Sequence, residues 1–297
     1  MLLIDQISND KEKTLKGLKK RGFKNLGVVN EIIELNNIRK KTQQELDQIL
    51  FESNTISKEI AEIFKSGNKS DNVENLKSKS ADLKSRSKDL SDKLDKTKSD
   101  ILSLITTIPN LPDDNVPDGF TVNDNVEVFS TGEIKDIPDN LKNHWDLAKD
   151  LDIIDFDLGS KITGSGFPVY KGKGAKLQRA LINFFLDRNT SAGYTEFQVP
   201  HLVNSQSAFA TGQLPDKDGQ MYHVINDDFY LIPTAEVPLT NIYRDTKVSI
   251  EELPILLTGY TPCFRREAGS YGSDVRGLNR LHQFDKVEIV RIEHPEN

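Results

Sequence analysis

The sequence predicts an α+β fold, in which a long antiparallel helical hairpin precedes a domain built on an antiparallel β-sheet. Three observations lead to this prediction. The first part of the chain repeats apolar residues at alternating steps of three and four, three prolines follow within residues 109–117, and the second half contains short β-like runs. Those runs lack the strand–helix alternation of a doubly wound sheet. A chain of 297 residues has room for about two domains.

The helical hairpin is predicted from two heptad segments within residues 28–108. Apolar residues dominate the seam positions of both segments, which is typical of a coiled coil. The first seam contains Ile32, Leu35, Arg39, Thr42, Leu46, Ile49, Ser53, Ile56, Ile60 and Ile63, and the second contains Val73, Leu76, Ser80, Leu83, Ser87, Leu90, Leu94, Thr97, Ile101, Leu104 and Ile108. Between them, Gly67 permits a tight reversal, and Asp71 and Glu74 have the spacing of a capping box.

The segments on either side of the hairpin are short. Residues 1–27 contain Leu3, Ile4, Ile7, Leu15 and Leu18, and they predict a short helix packed at the base of the hairpin. Because proline fixes φ and removes a backbone donor, the second helix must stop near residue 108. We therefore expect a helical arm over residues 1–108, a linker over 109–120 and a second domain over 121–297.

The second domain begins with mixed loops and one clear helix. Apolar residues at helical spacing run from Ala175 to Phe185, and Gly193 follows the end of this helix. A strand is predicted over 194–199, where Pro200 ends it. Further strands are predicted over residues 221–225, 229–232, 255–265 and 282–292.

Charge and composition narrow the function classes. The net charge is −7, yet residues 1–106 contain 21 Lys and Arg against 17 Asp and Glu. A net positive charge over residues 1–106 is compatible with a local RNA contact, and it is equally compatible with a solvated coiled coil. The only cysteine, Cys263, excludes a disulfide framework and a Cys-based zinc site within the chain. With no signal-peptide pattern and no apolar run of about 18 residues, we expect a cytoplasmic protein.

The predicted strands at 262–267 and 282–288 carry the residues most suited to chemistry. Alternate residues of a strand share a face, so Arg265 and Glu267 should point one way, and Phe284 and Glu288 should share a face. If the two strands pair, one surface would hold a guanidinium, an aromatic platform and two carboxylates. That arrangement suits a nucleotide together with a substrate that carries an amine or a hydroxyl group.

The loop between these strands, residues 268–281, is unusually long for a hairpin. It contains Gly269, Gly272 and Gly277 together with Arg276 and Arg280. Flexible backbone with basic side chains suits contact with a polyanion, and a surface loop with solvated arginines remains open as the alternative. Trp145 is interpreted as a core residue, and the five histidines show no spacing typical of metal ligands.

Several segments resemble one protein family. The strings that carry the resemblance are Phe264-Arg265-Arg266-Glu267-Ala268-Gly269-Ser270, Arg276-Gly277-Leu278 and His282-Gln283-Phe284-Asp285-Lys286-Val287-Glu288. Together they resemble motif 2 of class II aminoacyl-tRNA synthetases, and in particular the seryl enzymes. Residues 211–215 and 234–239 also match that family, and residues 193–200 resemble motif 1, the dimer-forming segment. The paired helices and the proline-rich linker resemble the seryl tRNA-binding arm, so the resemblance covers almost the whole chain.

This resemblance implies a serine–tRNA ligase that uses ATP and Mg²⁺ to form seryl-adenylate and then loads the 3′-terminal ribose of serine tRNA. It implies a homodimer that binds tRNA through the helical arm and the motif 2 loop. Arg265 would be the catalytic residue that holds the α-phosphate of ATP. The remaining implied site residues are Arg266, Glu267 and Phe284 for ATP, and Thr234, Ala235, Glu236 and Glu288 for serine, with no metal ligand within the chain.

The match has departures. Arg266 stands where many members have a small or other polar residue, and Ser273 and Val275 replace a basic residue and a threonine in the loop. The family's third motif, with a second ATP-binding arginine, a metal-binding carboxylate and another serine ligand, would lie beyond residue 297. We therefore expect the 297-residue chain alone to have little or no activity.

Three other interpretations remain at this stage. One is a non-catalytic paralogue that acts as an RNA- or protein-binding module, which the intact motif residues disfavour. A structural coiled-coil protein would explain residues 28–108 and leave residues 193–292 unexplained. An enzyme that activates serine for a carrier protein is disfavoured by the long helical arm.

Overall fold

The computed structural model describes residues 2–65, 72–133, 138, 140–267, 276–294 and 296–297. Contacts divide the chain into two units, Met1–Glu133 and Ile134–Asn297. The boundaries expected from the sequence, near residues 108 and 120, stay predictions. The reversal and cap expected at residues 66–71, and loop residues 268–275, lie outside the described residues.

The first unit is a helical arm. Its helices are α1 (Ile4–Asn9), α2 (Lys11–Lys20), α3 (Gly27–Lys65) and α4 (Asn72–Ile105). α3 and α4 pack together along their length and form the predicted helical hairpin. Every predicted seam position of both helices is buried or half-buried, including the polar Thr42 and Thr97. The heptad period therefore identified the contact face correctly along the whole described arm.

The core of this unit lies at the base of the arm. Its buried residues come from α1, α2 and both ends of the hairpin, and they are Ile7, Leu18, Val28, Val29, Ile32, Ile101, Ile105 and Ile108. The short helix predicted for residues 1–27 is two helices, because Asp10 ends the first and begins the second. Its carboxylate accepts a hydrogen bond from the Lys13 N–H at 3.0 Å, which caps α2.

The second unit contains helices and short strands. The helices are α5 (His144–Asp150), α6 (Phe156–Ile162), α7 (Lys173–Ser191), α8 (Ser205–Ala210) and α9 (Glu236–Asn241). The strands are β1 (Ile154–Asp155), β2 (Val169–Tyr170), β3 (Thr195–Glu196), β4 (Leu202–Asn204), β5 (His223–Val224), β6 (Phe229–Leu231), β7 (Ile255–Phe264) and β8 (Gln283–Ile292).

The largest sheet has the order β3-β7-β8. β7 and β8 pair antiparallel over ten residues, from Ile255 opposite Ile292 to Phe264 opposite Gln283. β4, β6 and β5 form a second antiparallel sheet, and β1 pairs with β2. The predicted antiparallel α+β architecture is confirmed, with one difference. β3 joins β7 in parallel.

α7 lies against the main sheet through a half-buried face that contains Gln178, Ile182, Leu186 and Asn189. The Asn189 amide donates to Thr258 Oγ1 at 2.9 Å, and the Gln178 amide donates to Asp285 on β8. The apolar residues that predicted this helix point the other way, since Leu177, Leu181, Phe184 and Phe185 are exposed. Within the described part of the chain, the helix therefore carries an apolar face that is about half exposed. Among the described helices, none combines the length and the apolar character that a membrane span requires.

Replacing Ile32 with alanine should destabilise the first unit by about 2–4 kcal/mol, because Ile32 is fully buried and the truncation leaves a cavity. The matched control is Ile38→Ala on the same helix. Its side chain is 42% exposed, so stability should change by less than about 0.5 kcal/mol. Urea unfolding of the purified chain, followed by far-UV circular dichroism, measures both effects. Equal unfolding midpoints for the two variants would contradict the assigned core.

Candidate active site

One face of the β7–β8 ladder carries most of the predicted site. Residues directly opposite each other in an antiparallel pair share a face. Phe284 lies opposite Cys263, Lys286 opposite Thr261, and Glu288 opposite Gly259. Because successive even-numbered residues of β8 point the same way, Phe284, Lys286 and Glu288 share one surface.

Arg265 extends this surface beyond the end of β7. Its N–H donates to the His282 carbonyl at 2.9 Å, which continues the pairing by one step. Its guanidinium carbon lies 5.0 Å from the centre of the Phe284 ring, and its Nε donates to the Pro233 carbonyl at 3.3 Å. A planar cation held by one ring face and one carbonyl keeps a fixed orientation, which suits it to grip a phosphate group.

A polar triangle lies further along the same face. The Thr234 hydroxyl donates to Glu288 Oε2 at 2.7 Å, and Lys286 Nζ contacts the same carboxylate oxygen at 2.7 Å. Lys286 Nζ also donates to Thr234 Oγ1 at 3.0 Å. Thr234 is buried, and the Glu288 side chain is only 18% exposed, so the carboxylate has exchanged most of its water for these two partners. These three side chains form a compact charged cluster, which is called the pocket below.

Lys286 was missed as a site residue by the sequence analysis. The signal that could have found it is the strand alternation itself, because Lys286 lies midway between Phe284 and Glu288. Its charge complements Glu288 within the pocket. A lysine beside a carboxylate on a half-buried strand face is poorly explained as a solvated surface charge.

The segment that carries Thr234 runs beside the end of β7. The Phe264 N–H donates to the Ile232 carbonyl at 2.9 Å, which places Thr234 next to the ladder. Ala235 is fully buried, and the N–H of Glu236 donates to Thr234 Oγ1 at 3.3 Å. The Glu236 side chain is exposed in the first turn of α9 and lies outside the triangle. The structure therefore brings Thr234 and Ala235 to the pocket directly, and Glu236 through its backbone.

Arg266 and Glu267 leave the strand geometry. β7 ends at Phe264, and Glu267 has a positive φ of 47°, so the expected alternation with Arg265 stops before it. The Glu267 carboxylate instead pairs with Arg280 at 2.8 Å. Arg266 is exposed, and its N–H donates to the Gln220 carbonyl at 2.9 Å. A turn, rather than a pleated strand, sets the position of these two side chains.

A second cleft, of about 700 Å³, opens where Glu267 and Arg280 lie. It is bordered by α5, α6 and the described part of the β7–β8 connection. Its lining residues include Trp145, Asp155, Asp157, Arg276, Gly277 and His282. Trp145 is half-buried here, at the edge of the cleft, rather than being the core residue that the sequence suggested.

The opposite face of β8 has a different role. Asp285 accepts hydrogen bonds from the Tyr260 hydroxyl at 2.5 Å and from the Gln178 amide of α7. Burial, and then the Asp285 carboxylate, raise the pKa of Tyr260 and of Tyr170 above the ordinary tyrosine value, so both phenols stay protonated. Asp285 therefore fixes α7 to the back of the sheet that presents the pocket.

Two parts of this chain match known protein families. Residues 1–112 match the seryl-tRNA synthetase N-terminal domain, and residues 222–297 match the tRNA synthetase class II core domain (G, H, P, S and T). The serine–tRNA ligase of Salinibacter ruber is 43% identical over 296 residues, which cover 100% of this chain and 69% of that protein. The serine–tRNA ligase of Thermodesulfovibrio yellowstonii is 42% identical over 297 residues, covering 100% of this chain and 70% of that protein.

Two solved structures have a fold similar to that of this chain. The seryl-tRNA synthetase of Pyrococcus horikoshii complexed with ATP superposes with a TM-score of 0.80 at 31% identity, covering 97% of this chain and 69% of that one. The cytoplasmic serine–tRNA ligase of Naegleria fowleri in complex with AMP superposes with a TM-score of 0.77 at 24% identity and supports the fold. It covers 100% of this chain and 68% of that one.

Proposed function

This chain belongs to the serine–tRNA ligase family of class II aminoacyl-tRNA ligases, and we propose how its residues serve that function. The proposed reaction is ATP-dependent activation of L-serine to seryl-adenylate, followed by transfer to the 3′-terminal ribose of serine tRNA. The observation that carries the proposal is the shared face on which Arg265 and Phe284 lie beside the Thr234–Lys286–Glu288 triangle. We place this activity in the cytoplasm.

ATP binds at the Arg265 end of the face. The Phe284 ring offers a flat surface on which adenine can stack, and the oriented Arg265 guanidinium neutralises the α-phosphate. Arg266 and Glu267 contact the nucleotide from the turn that follows β7. The related structure complexed with ATP supports this use of the fold.

The chemical step needs charge neutralisation and alignment rather than a protein nucleophile. The serine carboxylate attacks the α-phosphorus, and the bond to the bridging oxygen of pyrophosphate breaks. A ribose hydroxyl of tRNA then attacks the acyl carbon, and AMP leaves. Arg265 is the catalytic residue because it offsets the negative charge that builds up on the α-phosphate. Mg²⁺ would enter with ATP and bind phosphate oxygens.

Serine occupies the triangle. Thr234, Ala235 and Glu236 bind its amino group, and Glu288 accepts a hydrogen bond from its hydroxyl. Lys286 balances the Glu288 charge through an ion pair at 2.7 Å. Alanine lacks the hydroxyl, so it would leave the sheltered carboxylate without that partner, which penalises the wrong amino acid.

Replacing Glu288 with glutamine tests this pocket. We expect a non-hydrolysable seryl-adenylate analogue to bind about 10- to 100-fold more weakly, because a charge-assisted hydrogen bond is lost. The preference over the matching alanyl analogue should shrink as well. Titration calorimetry with both analogues measures the change. Glu293→Gln, which removes a charge outside β8 where Glu293 pairs with Arg291, is the control. Equal affinities for the two variants would refute the assignment of Glu288.

The helical arm contributes tRNA recognition. Lys and Arg outnumber Asp and Glu in the arm. Because the apolar seam is narrow, two long polar helix faces remain that can follow the phosphates of a structured RNA. The match of residues 1–112 to the seryl N-terminal domain supports this role. Recognition would depend on helix shape and phosphate charge more than on base edges.

An arm-shortened variant separates the two binding functions. Replacing residues 40–97 by a short turn retains the base cluster around Ile32 and Ile101. Affinity for serine tRNA should fall by at least about tenfold through lost phosphate contacts, while affinity for the seryl-adenylate analogue should stay within about twofold. Filter binding and calorimetry on the same preparation measure the two affinities. A parallel loss of both would show that the arm does not act separately from the pocket.

We also propose that two copies of the chain form a homodimer through the exposed face of α7. Leu181, Phe184 and their neighbours Leu177 and Phe185 are each about half exposed or more, which is costly for apolar side chains grouped on one helix. The segment 193–200, which resembles motif 1, follows this helix directly.

Phe184→Asp should convert the dimer to a monomer, because it places a charge in the buried centre of this interface. Asn183→Asp adds the same charge to the neighbouring position, off the apolar stripe, and should leave the dimer intact. Light scattering after size exclusion reports the mass of each variant. A dimer that persists in Phe184→Asp would exclude this face.

A further inference from the structure

The first turn of α5 grips the β7–β8 connection. The Leu278 N–H donates to His144 Nε2 at 2.8 Å, so the neutral ring carries its proton on Nδ1. Gly277 has a positive φ of 73°, and a Cβ atom there would lie 2.2 Å from the same His144 nitrogen. The backbone of residues 277–278 thus approaches His144 as closely as an amide can, and only glycine fits.

The next residue of α5 makes a second contact. The guanidinium carbon of Arg276 lies 5.1 Å from the Trp145 ring, in a cation–π arrangement. The Trp145 ring is supported edge-on by His144, with ring centres 4.9 Å apart. One turn of α5 therefore orients both the backbone and the basic side chain of this segment.

This grip is linked to the proposed ATP site through the chain itself. Downstream of Leu278, Arg280 pairs with Glu267, and the His282 carbonyl accepts the N–H of Arg265. His282 is held in turn by the Tyr222 hydroxyl at 2.8 Å and by stacking on Phe167. The segment is thus anchored at its base by the sheet and at residues 276–278 by α5.

We propose that His144 and Trp145 are positioning residues that set Arg276 to contact a phosphate of the tRNA acceptor end. This inference rests on the proposed function. The charge of the cleft determines what Arg276 must do. The lining of the cleft beside Arg276 contains five carboxylates and four lysine or arginine side chains, so the cleft has no net positive charge to attract a polyanion by itself. A contact with a phosphate then requires an Arg276 guanidinium that is already oriented before the RNA binds. The Trp145 ring and the His144 hydrogen bond provide that orientation.

The test is a double-mutant cycle on Trp145 and Arg276. The probe is an acceptor-stem minihelix of serine tRNA ending in CCA, which lacks the part of the tRNA that the arm would bind. Trp145→Ala should weaken minihelix binding by about 5- to 20-fold. In a protein that already carries Arg276→Ala, the same change should have less than a twofold effect, because Trp145 acts through Arg276. Fluorescence anisotropy measures all four affinities.

Two further variants separate positioning from folding. Trp145→Phe keeps an aromatic face and should retain most of the affinity, and His144→Gln, which keeps a side-chain acceptor, should bind more tightly than His144→Ala. Leu147→Ala is the matched control, since Leu147 lies on α5 with an exposed side chain. Each variant is also titrated with the seryl-adenylate analogue, which reports the integrity of the sheet.

The outcomes distinguish this inference from the proposed function. Additive effects of Trp145→Ala and Arg276→Ala, or equal losses of minihelix and analogue binding, would overturn the positioning role. Failure of the unmodified chain to bind the minihelix would overturn it too, while binding of the analogue would leave serine activation standing. Failure to bind the analogue, with intact minihelix binding and coupled effects of Trp145→Ala and Arg276→Ala, would instead count against the proposed pocket and support the positioning role.

Discussion

The register between β7 and β8 is the constraint on which the rest of the second unit depends. Ten residues pair on each strand, so every side chain on this face has a position fixed relative to its neighbours. A shift by one residue would turn Phe284, Lys286 and Glu288 to the other face and bring Asp285 to the front. The hydrogen bonds of Asp285 with Tyr260 and α7 oppose that shift from behind, because they exist in this register only.

The shared face of β7 and β8 contains two different arrangements of charged side chains. At one end, the Arg265 guanidinium is held against the Phe284 ring and the Pro233 carbonyl, which fixes its orientation. At the other end, a sheltered carboxylate is balanced by a lysine and a threonine hydroxyl. A buried carboxylate is costly when it is left without partners. Lys286 and the Thr234 hydroxyl supply those partners for Glu288.

The two units solve different physical problems. The arm has a narrow seam and a small core at its base, so its stability comes from many modest contacts along two helices. The second unit concentrates its chemistry on one sheet face and attaches the loop that follows β7 to a separate helix. Contacts between α5 and residues 276–278 join segments 134 positions apart in the sequence. Such a contact gives residues 276–278 a defined position.

The sequence alone determined what depends on local period and local chemistry. The heptads predicted every seam position of the described arm, the prolines predicted where the second helix must stop, and strand alternation placed Phe284 and Glu288 on one face. Tertiary structure decided the rest. It brought Lys286 to Thr234, 52 positions away, turned Glu267 out of the strand by a positive φ, and left the apolar face of α7 exposed. Periodicity records which side of an element a residue occupies. It cannot record which distant element that side meets, because packing between elements settles that.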